Sequence, residues 1–250
     1  MKTPMEAIVA LDEWRAGRPS LISTSFSEID ELTGGFVRGH VWIITGTPTQ
    51  GRSTLATQWA CQLATRYALR TDIVSGRDTE DLVAARLLAS HRRLPLTSLR
   101  SRHSASGSDP RLRKAREDLT KVPLRIAGPR QLSSLSVEPF DDVMPEALVV
   151  DDADLAAGAE PHRIADIAAK GVLVILTLPR QLVIRAEGID PTWSRLADVI
   201  LDIDRPDLRI KHSARPGEAD IDVVRNRWGP QRIVTVLFEG HYARFVEMAP

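Results

Sequence analysis

The sequence predicts an α/β fold: a mainly parallel central sheet with helices on both faces and a C-terminal β-hairpin. Three observations carry that prediction. Continuously apolar segments such as Val41-Trp42-Ile43-Ile44, Leu148-Val149-Val150 and Val172 to Leu176 alternate with helical patterns, as strands buried on both faces do. A glycine-bounded segment, Gly46 to Gly51, joins one such strand to a helix. Near the end, Ile221–Val224 and Ile233–Phe238 flank Asn226-Arg227-Trp228-Gly229-Pro230, the signature of an antiparallel hairpin.

The elements follow in order. Met5 to Trp14 reads as an amphipathic helix with Met5, Ile8, Leu11 and Trp14 on one stripe. So short a helix ahead of a domain folds back or docks on a neighbouring subunit. Phe26 to Leu32 gives a helical turn stopped by Gly34-Gly35. Val41–Ile44 is a strand, and residues 52–67 a helix. Thr71–Ser75 is a strand and Thr79–Ser90 a helix striped by Leu82, Val83, Ala85, Leu87 and Leu88. Ser101–Asp109 is a Ser-rich loop, Pro110–Thr120 a basic helix, Leu124–Ala127 a short strand and Ala147–Asp151 a buried one. A helix over Ile164–Lys170 precedes the strand Val172–Thr177, and Val199–Ile203 is the last buried strand.

The 250 residues include 33 Lys and Arg against 33 Asp and Glu, and 43 % are hydrophobic, enough for one large domain with a core. No apolar run approaches the ~18 residues of a membrane span, and Met1–Glu6 lacks the apolar core of a secretory signal. A single cysteine, Cys61, excludes a disulfide framework and a Cys-rich zinc site. A soluble, cytoplasmic protein with no membrane partner is expected. Charge is unevenly spread: Arg92–Arg130 holds eleven Lys and Arg and three acids, whereas Glu138–Glu160 holds eight acids and no base. The basic stretch reads either as a solvated surface or as a phosphate-contacting one.

Gly46-Thr47-Pro48-Thr49-Gln50-Gly51-Arg52-Ser53-Thr54 carries the chemistry. The phosphate-loop pattern G-x-x-x-x-G-K-[ST], between a strand and a helix, wraps a phosphate chain in backbone N–H groups and adds a helix N-terminus. Both glycines, their spacing and the hydroxyl of Ser53 are present, with Arg52 in place of lysine. Arginine keeps the charge but is planar and forked, so the exchange is not conservative. The segment is expected to bind ATP, with Ser53 reaching Mg²⁺. Asp151, at the end of a buried strand, would complete the Mg²⁺ shell. Asp152 either polarises an attacking water or caps the next turn.

At this point a resemblance becomes specific. Thr24 to Gly46 (TSFSEIDELTGGFVRGHVWIITG) is similar to the leading segment of the C-terminal domain of DnaB-type replicative DNA helicases. Leu82–Ser90 resembles the helix after that family's second strand. Arg225-Asn-Arg-Trp-Gly-Pro230 and Val236–Phe245 resemble its ending. The matches span nearly the whole chain. The resemblance implies a RecA-like P-loop NTPase fold, with residues 1–20 as the linker helix and leading segment and 21–250 as the ATPase domain. It implies ring hexamers with ATP at subunit interfaces, 5′-to-3′ movement on single-stranded DNA, and replication proteins as partners. On this resemblance the family's N-terminal domain is expected to be missing. Arg227 falls on the family's arginine finger and Arg225 on the neighbouring lysine.

Four departures from the family point one way. Arg52 replaces the phosphate-loop lysine, and Arg77 falls at or near the catalytic glutamate, where a cation cannot take a proton from water. Asp78, Glu80 or Asp152 would have to stand in. Leu178 falls on a glutamine, and the family's channel loop and long helix between Asp151 and Val172 shrink to about twenty residues. DNA contact would then come from Arg92–Arg130 or from Arg205, Arg209, Lys211 and Arg215. The expectation is an ATP-dependent DNA helicase or translocase. The alternative is a degenerate paralogue that binds nucleotide or DNA without efficient hydrolysis, as a structural or regulatory subunit. A recombinase-like filament is a weaker third reading.

Overall fold

The computed structural model describes residues 3–6, 8–9, 22–100, 109–129, 144–209 and 213–248. Residues 4–6 and 8–9 are helical. The Thr3 hydroxyl accepts from the Glu6 N–H at 3.3 Å and the Glu6 carboxylate from the Thr3 N–H at 2.6 Å, a capping box. The rest of the predicted Met5–Trp14 helix lies outside the described residues, as does most of the Ser101–Asp109 loop.

The domain then runs α1 (Ser27–Thr33), β1 (Val41–Gly46), α2 (Arg52–Arg66), β2 (Thr71–Ser75), α3 (Glu80–Arg92), α4 (Leu96–Arg100), α5 (Pro110–Leu119), β3 (Leu124–Ala127), β4 (Ala147–Asp151), α6 (Pro161–Ala169) and β5 (Leu173–Thr177). A short helix α7 (Arg180–Val183), a small hairpin β6–β7 (Ile184–Arg185 and Gly188–Ile189) and α8 (Pro191–Leu196) lead into β8 (Val199–Asp204). After α9 (Pro206–Arg209) come β9 (Glu218–Asn226), β10 (Ile233–Glu239) and β11 (Arg244–Glu247).

Nine strands form one sheet in the order β11-β10-β9-β8-β1-β5-β4-β2-β3. From β8 to β3 neighbours run parallel, and β9, β10 and β11 add antiparallel strands at the other edge. β1 lies between β5 and β8, with Val41 opposite Val174 and Gly46 opposite Ile203. The chain leaves β1 through α2 and returns at β2, beyond β5 and β4. The carboxyl end of β1 is therefore the switch point where open α/β sheets bind ligands.

Period-two alternation in β1 divides the core. Trp42 and Ile44 face Phe26, Leu55, Trp59 and Leu63, whereas Val41 and Ile43 face Ile164, Ile167, Leu178 and Val183. Phe36, Trp42 and Trp59 meet edge to face at centroid distances of 4.8, 5.0 and 5.9 Å. The Trp59 indole N–H donates to the Thr24 carbonyl at 2.9 Å, so its one polar group is satisfied in the core.

Two elements differ from the sequence expectation. The helix before β5 starts at Pro161, three residues early, because proline suits a first helical position, where its missing N–H goes unused. The C-terminal hairpin gains a third strand, β11, after a 3-10 turn over Gly240–Tyr242 in which Ala243 takes φ 47°. A four-residue strand behind such a turn carries little periodic signal. Its Phe245 nevertheless buries fully against α2.

Candidate functional site

The loop after β1 stands at the carboxyl ends of the parallel strands. Thr47, Pro48 and Thr49 are exposed, and Thr49 takes φ 70°. Gln50 turns inward, donating to the Thr47 hydroxyl at 3.1 Å and accepting from the Arg205 N–H at 2.5 Å. The backbone N–H groups of Thr47, Thr49 and Gly51 donate to no other described residue. Gly51, at φ 105°, precedes the first residue of α2, and a Cβ there would lie 2.6 Å from the Phe245 ring. Unpaired donors at a helix N-terminus suit an anion. Beside them Arg205, expected from the sequence as a DNA contact, is instead nearly buried: its guanidinium pairs with Asp207 at 3.0 Å and lies over the Phe238 ring at 3.9 Å.

The ends of β4 and β5 supply the acids. The Thr177 hydroxyl donates to Asp151 Oδ1 and accepts from the Asp152 N–H, both at 2.7 Å, tying the two strand ends together. Burial pushes the Asp151 carboxyl up, opposed by the hydroxyls of Thr177 and Ser53. Asp151 Oδ2 is buried with no hydrogen-bond partner among the described residues. A buried carboxyl oxygen without a partner is costly, and a bound cation would offset that cost. The donors Ser53 and Asp151 are hard oxygens suited to Mg²⁺. Among the described residues no group of three His, Cys, Asp or Glu could hold a metal unaided.

Asp152 takes φ 51°, and its carboxylate meets two guanidiniums: Arg77 Nε at 3.1 Å from Oδ2 and Arg52 Nη2 at 3.6 Å from Oδ1. Side-chain exposures are 7 % for Asp152, 11 % for Arg52 and 60 % for Arg77. Burial and neighbouring Asp151 push the Asp152 carboxyl up, while Arg77 and Arg52 oppose that rise. The other candidate acids are committed elsewhere: Asp78 pairs with Arg86, and Glu80 accepts from the Gly128 N–H at 3.0 Å. Leu178 is fully buried.

The structure thus gathers Gly46–Thr54, Asp151 and Asp152 at one end of the sheet. Arg225 and Arg227 lie at the other. Arg225 Nε donates to the Ala197 carbonyl at 2.8 Å, and Arg227 pairs with Asp198 at 3.2 Å and stacks on the exposed Trp228 at 4.9 Å. Much of the basic stretch is internally paired: Arg92 with Asp118, Arg93 with Glu239, Arg111 with Asp109, Arg125 with Asp72. Arg215 is held by Glu218 and Asp220. Arg113 and Arg116 on α5 are exposed and pair with no described residue. Among the described residues, no helix is long and apolar enough to cross a membrane.

The strand order, the loop and the acid-tipped β4 define a RecA-like ATPase fold. One solved ATPase domain superposes on it with a TM-score of 0.83 at 16 % identity, covering all of both chains. A DnaB-like replicative helicase, solved to describe its interactions with primase, superposes with a TM-score of 0.79 at 16 % identity over the whole chain and 68 % of its own. In sequence, residues 22–139 match the family of the DnaB-like helicase C terminal domain. The replicative DNA helicase DnaB of Leifsonia xyli subsp. xyli is 28 % identical over 97 % of the chain and 60 % of its own length. That of Treponema pallidum is 25 % identical over 92 % and 56 %. The chain thus spans well under two thirds of these curated relatives. Over residues 22–139 the chain is similar in sequence to the C-terminal domain of DnaB-like helicases, and it shares the fold of their ATPase domain.

Proposed function

We propose that the chain is a helicase-type motor domain that binds ATP with Mg²⁺ at Gly46–Thr54 and engages single-stranded DNA as a ring of identical subunits, six by family analogy. One observation carries the nucleotide assignment: between β1 and α2 the backbone N–H groups of Thr47, Thr49 and Gly51 have no partner among the described residues, and Ser53 and Asp151, whose Oδ2 is likewise without one, stand beside that loop. Ser53 and Asp151 would hold Mg²⁺, which when bound spreads charge from the phosphate oxygens. The loop wraps the phosphates, and the Arg205–Phe238 wall suits the face of a base. Placement of Arg225 and Arg227 at the far end of the sheet supports a role on the nucleotide of an adjacent subunit, hence ring assembly. Contact with other replication proteins and cytoplasmic residence rest on kinship with the relatives.

A second reading is favoured by one specific feature. Asp152, a candidate base beside the loop, is ion-paired to both Arg52 and Arg77, so it is poorly placed to take a proton from water. The chain would then bind nucleotide or DNA without efficient turnover, as a structural or regulatory subunit. Steady-state ATP hydrolysis with Mg²⁺, with and without single-stranded DNA, separates the two. DNA-stimulated turnover of about 1 s⁻¹ or more supports the motor. Nucleotide binding without turnover supports the second reading, and loss of both overturns the nucleotide assignment.

A further inference from the structure

Two arginines that reach one carboxylate from different elements need an account. Arg52 opens α2, and Arg77 stands in the turn after β2, yet their guanidiniums meet the two oxygens of Asp152. The carboxylate is fixed by its backbone. The Asp152 N–H donates to Thr177, the Gly76 N–H donates to the Asp151 carbonyl at 2.8 Å, and a Cβ on Gly76 would lie 2.4 Å from the Asp152 carbonyl. The arginines are the movable partners: Arg77 is largely exposed with no second ion pair among the described residues, and buried Arg52 Nη1 has no hydrogen-bond partner among them.

Resting on the nucleotide reading above, we infer that Arg52 and Arg77 form a clamp for the terminal phosphoryl group of a nucleoside triphosphate, which they grip in exchange for the carboxylate of Asp152. Guanidinium forks recognise carboxylate and phosphate by the same paired N–H geometry, so Asp152 presents both forks toward one spot beside the loop. One carboxylate leaves two guanidiniums with surplus positive charge. A terminal phosphoryl group, with about two negative charges, matches them better. A diphosphate lacks the group that spans to Arg77. The clamp therefore sets a preference for triphosphate over diphosphate, and Asp152 acts as a competing anion that weakens all phosphate binding.

Isothermal titration of the full chain with ATP and with ADP, in Mg²⁺, tests this on the wild type, Arg77→Ala and Asp152→Asn, with thermal melting to confirm folding. Arg77→Ala should weaken ATP about tenfold or more, the worth of a hydrogen bond to a charged group, and leave ADP within about twofold. Asp152→Asn should tighten ATP roughly threefold or more by removing the competing charge. Arg77→Lys, which keeps charge but not the fork, should fall between wild type and alanine. An unchanged ratio of ATP to ADP affinity in Arg77→Ala, or weaker ATP binding by folded Asp152→Asn, overturns the clamp and leaves nucleotide binding standing. Wild-type protein that binds neither nucleotide overturns both.

Discussion

Arg227 donates to Asp198 across 3.2 Å, and the other carboxylate oxygen of Asp198 accepts from the Val41 N–H at 3.0 Å. One acid thus pins both the start of β1 and the tip of the β9–β10 hairpin. That point is the amino end of the parallel strands. Along β8, Val199 lies opposite Trp42 and Ile203 opposite Gly46, so the phosphate loop is about 13 Å further on at ~3.3 Å per residue. At that end Arg227 lies over the ring of Trp228, an exposed residue.

A finger acting between subunits makes turnover depend on assembly. Specific ATPase activity should rise steeply with protein concentration. Arg227→Ala should cut DNA-stimulated turnover by about 10³-fold or more and leave ATP affinity within about twofold. Unchanged turnover in the variant removes the trans role.

Asp151 is proposed as a ligand of Mg²⁺, and its burial makes that testable. Burial pushes the Asp151 carboxyl up, toward its neutral form, so Asp151→Asn should fold and melt no lower than wild type without nucleotide. The same variant should lose the gain in ATP affinity that Mg²⁺ gives the wild type. Titrations with Mg²⁺ and with EDTA read this directly. A variant that keeps the full Mg²⁺ effect would take Asp151 out of the ion's shell.

Asp202 in β8 offers a separate, pH-dependent prediction. Burial pushes its carboxyl up to about 6, assisted by Asp222 and Asp204 and opposed by Arg180, which pairs with Oδ2 at 3.1 Å. Its Oδ1 is buried with no hydrogen-bond partner among the described residues. The folded form thus holds this proton more tightly than the unfolded chain does. Stability from this group is full below about pH 4, falls as pH rises toward 6, and stays lower above it. Asp202→Asn should be more stable than wild type at pH 7.5, by on the order of 1–2 kcal/mol, and equal to it at pH 4. Urea midpoints across that range measure the difference. A variant less stable at pH 7.5 would show that the Arg180 pair outweighs the desolvation.

The parallel sheet was legible in the sequence because its strands are apolar on both faces: Val41–Ile44, Leu148–Val150 and Leu173–Leu176 need no alternation to be seen. The strand–loop–helix passage through Gly46–Gly51 was legible because its glycine spacing serves a backbone geometry. Between residues 180 and 196 the short helices and two-residue strands were not, since four-residue elements owe their form to tertiary contacts such as Val183 in the core. Pairing in space was beyond the sequence altogether. Arg52 and Arg77 were each visible as departures from a pattern. Nothing in their spacing joined them to Asp152, because that meeting depends on β2 lying next to β4 in the sheet. Likewise, the basic stretch read as a free positive surface until Asp118, Asp109, Asp72 and Glu239 were seen to pair with it.

The central claim is that the loop from Gly46 to Thr54 binds nucleotide, and ligand-induced stabilisation tests it most directly. Melting curves of the full chain with 1 mM ATP and Mg²⁺ should rise by about 5 °C or more if ATP is well above its Kd. Gly51→Ala, which drives a Cβ toward the Phe245 ring at a left-handed φ, should melt lower than wild type and gain nothing from ATP. No shift in the wild type, or an equal shift in Gly51→Ala, would contradict the assignment of nucleotide to this loop.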